Sequence, residues 1–208
     1  KRIHDLGEMS ERIMKMRKLD DDTKASLNAS VQGTINSLGS LKAQIETETD
    51  VALLKKHREE LTAGTRVYML VMPQARILAA AERAQTVVEM LSALAVKLDG
   101  RIKAAQAAGK DVTALATAHA DMMVKIADAK TQATAATTAV SGLTPDNGDN
   151  AKMQANTAAL KTGRTALLAA EKDLSAAAKD ARTIIAGFKT MKIDVSASAS
   201  VNAGTNPQ

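Results

Sequence analysis

Apolar residues recur at alternating spacings of three and four along almost the whole chain, and strand-like alternation is nearly absent, so the pattern predicts helices throughout. The clearest row is Val112, Leu115, His119, Met122, Ile126, Ala129, Ala133, Ala136 and Val140, a heptad seam over 111–142. A second seam runs over 151–191, through Met153, Asn156, Leu160, Gly163, Leu167, Ala170, Leu174, Ala177, Ala181, Ile184, Phe188 and Met191. Between them "GLTPDNGDN", 142–150, is rich in breakers and caps, so the two helices are expected to be antiparallel neighbours. A tight turn there would set Leu160 against Ala133, Leu174 against His119, Ala170 against Met122 and Leu115 against Ala177, large residues meeting small ones. A third row, Ile77, Ala80, Ala84, Val87, Leu91, Leu94, Leu98, Ile102 and Ala105, precedes Gly109, which ends its helix; Asp111 caps the next.

The earlier part of the chain predicts a second helical unit. Ile3, Leu6, Ile13 and Met16 mark a helix over 2–18, and Leu27, Val31, Ile35, Leu38, Leu41 and Ile45 mark one over 23–47. "LDDDTKASL" and "TETD" are stop-and-cap signals. From Val51 the pattern continues to 108 as one long helix, expected to bend between Gly64 and Pro73. In that stretch, which holds Tyr68, the ring of Pro73 deprives the carbonyl of Met69 of its helical partner. The expected architecture is all-α and elongated: two three-helix antiparallel units sharing the long bent helix, with an N-terminal unit at 1–76, a bundle at 77–192 and a flexible tail at 193–208.

Composition narrows the function classes. Hydrophobic residues are 45% of the 208, enough for a substantial core, and alanine, the strongest helix former, is abundant. Aromatics are 1%, one Tyr and one Phe, whereas ligand and protein interfaces lean on aromatic anchors. The absence of cysteine removes disulfides, thiolate metal sites and a Cys nucleophile. The net charge of +5 comes from interleaved signs with no long basic block, so no nucleic-acid partner is expected. The apolar run Val67–Pro73 is closed by Gln74 and Arg76, too soon for a membrane span.

No catalytic constellation is visible. "HREEL" at His57 lacks the second histidine of a zinc helix, because Leu61 stands in its place, and a solvated helix face is expected. His119 reads as a structural residue of the seam, and His4 has no evident partner. Asp20–Asp22 and Asp146–Asn150 lack the ligand spacing of a calcium loop and read as caps and turns. The ten methionines are scattered and read as core filler. Glu82 and Glu89 are placed for surface ion pairs with Arg76 and Arg83. No cofactor, metal site or small-molecule substrate is therefore expected.

Several strings, taken in order, carry a resemblance: "TDVALLK" at 49–55, "Y-x-L-x-x-P-Q-x-R-I-x-A-A-A-x-R" at 68–83 and "AGKDVTAL" at 108–115. With their flanks they make the chain, over roughly 11–190, resemble uncharacterised exported all-helical proteins of small-genome candidate-phyla (Patescibacteria-type) bacteria. The resemblance implies an all-helical fold and export behind a leader peptide, in keeping with a chain that starts at Lys1. It implies no activity. The expected function is that of a non-catalytic extracellular or cell-envelope protein: a spacer, surface component or interaction module, with a protein partner or self-assembly. The alternative is a module binding a peptide, an unfolded chain or a lipid. Its candidate surfaces are a groove in the N-terminal unit and an exposed apolar end formed by Ile184, Phe188 and Met191, which the tight-turn register carries past Gly109.

Overall fold

The computed structural model describes residues 1–17, 19–146 and 149–191, and within 62–67 only the helical backbone. The expected tail at 193–208 lies outside the described residues. Among the described residues the chain is all-α. Helices α1 (Arg2–Lys15), α2 (Asp21–Thr47), α3 (Val51–Ala107), α4 (Thr113–Ser141) and α5 (Asn150–Thr190) follow one another through short connections.

The boundaries are written in local chemistry. Asp20 caps α2, its carboxylate accepting the Thr23 N–H at 2.8 Å. Asp50 does the same for α3 through Ala52, and Asp149 for α5 through Ala151. At the end of α3, Gly109 takes φ +74°, while the N–H groups of Gly109 and Lys110 bond back to the carbonyls of Gln106 and Ala105. This left-handed turn strongly favours glycine. Asp111 then caps α4 by accepting from both the N–H and the hydroxyl of Thr113. The long helix is continuous from Val51 to Ala107 with Pro73 inside it.

By contacts the chain forms two compact units that interleave in sequence. The first joins Lys1–Thr86 to Lys130–Glu171; the second joins Val87–Ala129 to the chain from Lys172. The sequence reading placed 77–192 in one bundle, whereas 77–86 and 130–171 pack with the N-terminal helices. The reason is visible in one core cluster: Leu6, Met9 and Ile13 of α1 share it with Leu78 and Ala81 of α3, Val140 of α4 and Leu167 of α5. The first unit thus draws on all five helices. The second is a three-helix arrangement with Val88, Leu98, Met122, Ile126, Ala177, Ile184 and Phe188 in its interior.

The α4 and α5 seams are buried largely as their spacing predicts, but their mutual register differs. Leu115, expected opposite Ala177, instead meets Gly187, ten residues further along α5, and Gly163 meets Val140. The connection at 142–149 is not a tight reversal. The Thr144 carbonyl accepts from the Asn156 side chain at 2.9 Å, so α5 overruns the end of α4 before the two pair. In α3 the predicted Ile77, Ala84, Leu98, Ile102 and Ala105 are buried, joined by Leu78, Ala81 and Val88, whereas the predicted Val87 is exposed.

Candidate functional site

The register decides the fate of the expected apolar end. Shifted along α5, Ile184 and Phe188 lie beside the start of α4 rather than beyond Gly109, and both are fully buried, with Met191 half-buried. They are core residues, and the exposed patch expected from them does not form. At the other expected locus, α3 runs through Gly64 and Pro73 without a break. Tyr68 is half-buried and packs against the core of the first unit, whose walls there are Val71, Met72 and Ala75, while Met69 faces solvent.

Gln74, which the sequence reading treated only as a polar interruption, is 2% exposed. Its amide donates to the carbonyl of Val140 at 2.7 Å and, more weakly, to that of Leu143 at 3.4 Å. These carbonyls belong to the end of α4 and the turn after it, where intrahelical donors run out.

The titratable residues are engaged in structural roles. His57 is buried rather than solvated, with Nδ1 3.4 Å from the Glu60 carboxylate. The Nε2 of His119 lies 3.0 Å from the carbonyl of Ala95 and donates to it. His4 pairs with Glu8 on the exposed face of α1. Glu82 accepts the backbone N–H of Arg17, tying the end of α1 to α3. In the second unit Lys125 bonds to Asp180 at 2.6 Å, and this hydrogen bond, reinforced by the charges of Asp180, Asp121 and Asp173, raises the lysine pKa. The capping carboxyls of Asp20 and Asp111 are held below the usual range, chiefly by the N–H groups of Thr23 and Thr113. Asp99 is also lowered, mainly by its bond to Lys103. Among the described residues no group of three or more His, Asp or Glu side chains is placed to hold a metal ion. Nor is any described helix long and apolar enough to cross a membrane.

The concave feature that stands out lies in the first unit. It is an open groove of about 730 Å³ lined by Lys1, Arg2, Ile3 and His4 from the start of α1, Leu38 and Lys42 from α2, and Leu61 from α3. Among the described lining residues, Ile3, Leu38 and Leu61, one from each helix, form its apolar walls, and the polar side chains are Lys1, Arg2, His4 and Lys42. Its volume falls within the range of sites that hold ligands rather than single waters. Sequence reasoning assigned Ile3 and Leu38 to a core face, yet Ile3 stays 37% exposed, as does Leu61. The basic cluster "KRIH" was the available signal, but nothing in the sequence joined it to Lys42 and Leu61. No family model matches the chain, and no curated protein or solved structure matches it.

Proposed function

We propose that this chain is a non-catalytic interaction module of the extracellular space or cell envelope, and that it works by holding another polypeptide. What supports the reading above a plain spacer is the groove between α1, α2 and α3, with Ile3, Leu38 and Leu61 as apolar walls and a basic rim. Apolar walls with charged edges are the usual make-up of a polypeptide-binding surface. Several titratable groups serve as caps, ties between helices and ion pairs, Asp20, Glu82 and Lys125 among them. The placement outside the cytoplasm rests on the resemblance described above.

The test has two arms. Fractionation of the producing cells should recover the protein in the envelope or the medium; recovery only in the cytosol overturns the localisation. A photo-crosslinking residue at Leu61 should capture a partner in intact cells, while the same residue at the exposed Val124 of the second unit should not. Equal yields from both positions would overturn the interaction reading.

A further inference from the structure

We propose that the solvent-facing methionines form a sacrificial sink for hypohalous acids, taking up the oxidant as sulfoxide before it reaches the core. The sequence reading took all ten methionines as core filler. The structure divides them. Met9, Met16 and Met72 lie in the core of the first unit and Met122 in the interior of the second, and all four are buried. Met191 is half-buried. The other five stand in solvent: Met69 and Met90 are 67% and 66% exposed, Met14 59%, Met123 44% and Met153 40%.

Methionine is among the residues most often fully buried, so a set with half its members outside the core calls for a reason. Packing does not supply one at Met14, Met69 and Met90, whose side chains are mostly in water. Nor does helix propensity, which is much the same for Leu, Lys, Arg and Met. The five are spread over α1, α3, α4 and α5 and over both units. Three of them sit within three residues of a buried methionine: Met14 before Met16, Met69 before Met72, and Met123 after Met122.

What distinguishes these side chains is their sulfur. The chain has no cysteine, so its thioethers are the groups most readily oxidised by a hypohalous acid. With hypochlorous acid, a methionine sulfur gives a lone pair to chlorine and hydroxide departs. Water then adds to the sulfur, chloride leaves, and loss of two protons gives the sulfoxide. Sulfur loses two electrons and chlorine gains them. One thioether and one HOCl become one sulfoxide, one chloride and one proton.

Place decides the consequence. At an exposed site the new S=O dipole is hydrated and little packing is lost. At Met122, 0% exposed, the same dipole would be forced into a closed interior. Five exposed sulfurs therefore hold five equivalents of oxidant per chain at little cost to the fold. The sink is independent of the groove.

The test adds hypochlorous acid to the full chain in single equivalents up to ten, one per methionine. Each step is quenched with free methionine, and every site is read by peptide mass spectrometry beside the melting curve. Over the first five equivalents, sulfoxide at Met14, Met69, Met90, Met123 and Met153 should exceed that at Met122 by about tenfold or more, with the melting temperature unchanged. A variant carrying Met14→Leu, Met69→Leu, Met90→Leu, Met123→Leu and Met153→Leu together keeps volume and helix propensity. It should lose its melting transition about five equivalents earlier than the parent. Oxidation of Met122 in step with the exposed five overturns the inference. So does a melting temperature that falls from the first equivalent, or a leucine variant that tolerates the parent's dose. If that variant does not fold, the order of oxidation in the parent decides alone.

Discussion

The side-chain amide of Gln74 reaches the carbonyl of Val140 at 2.7 Å inside the core of the first unit, so α3 adds a short bond to a carbonyl at the end of α4 whose backbone donor, the Leu143 N–H, lies at 3.3 Å. Neither group has access to water, and an unpaired buried polar atom is expensive. Gln74→Leu should cost about 1–3 kcal/mol in chemical denaturation. Gln74→Glu should be worse at neutral pH, because a carboxylate cannot donate to the carbonyl. Burial raises the folded pKa of the introduced carboxyl above its unfolded value near 4.3. The protonated form, which can donate, is therefore favoured by folding. The deficit relative to the parent should be smallest below about pH 4 and should grow as pH rises through the folded value. A deficit that does not vary with pH would mean that the amide is not acting as a donor.

At Gly163, α5 comes close to Val140 of α4 and Ile77 of α3 in the first unit. A Cβ there would sit 2.8 Å from Val140 Cγ1 and 3.3 Å from Ile77 Cγ2. Gly33, also helical, has nothing within 4 Å of the same position. Gly33→Ala should therefore stabilise by about 0.5–1 kcal/mol through helix propensity. Gly163→Ala gains the same propensity but overpacks, at about 1–3 kcal/mol, and should come out destabilising. Thermal melts of the two variants should shift in opposite directions.

Phe188 separates a binding role from a packing role. Because its side chain is fully buried, Phe188→Ala should cost about 3–5 kcal/mol of stability. A variant that melts like the parent would place the ring in solvent and return it to consideration as a contact residue.

Acid should loosen the helix starts. The carboxyls of Asp20 and Asp111 have lowered pKa values, held by the N–H groups of Thr23 and Thr113. Groups lowered on folding contribute stability above their unfolded value, near 3.9, and lose it as pH falls through the folded one. Asparagine caps as well as aspartate and does not titrate. The Asp20→Asn, Asp111→Asn double variant should therefore melt close to the parent at pH 7. It should lose less than the parent between pH 4 and pH 2. Parallel loss in both proteins would assign the acid limb to other groups.

How far the fold could be read in advance depends on which contacts are local. The caps at Asp20, Asp50 and Asp111 and the stop at Gly109 need only a few neighbouring residues, and each was legible. So were the buried faces of α4 and α5, where Leu115, Met122, Leu167 and Leu174 declare themselves by spacing. The pairing of those faces was not. A slide of ten residues is close to three helical turns, which presents nearly the same stripe again, and an alanine-rich seam matches large to small in more than one register. What settles it are contacts without a periodic signature: Asn156 on Thr144, Gln74 on Val140, Gly163 against Val140. The misplacement of Phe188 follows directly from that slide. The groove was half legible: a groove in the N-terminal unit was foreseen, but its lining needs three helices and residues as far apart in the chain as His4 and Leu61.

The interleaving of the two units also sets a timetable. Lys1–Thr86 leave the ribosome first, yet their unit is completed by Lys130–Glu171, a further 85 residues along. At about 5–20 residues per second that is a wait of roughly 4–17 s. Through it the nascent core around Leu6, Ile13 and Leu78 lacks Val140 and Leu167, two side chains that close it in the finished chain. No single cut separates the two units from each other, so a shortened gene product carrying only the first half would lack part of each and expose surface that the full chain hides.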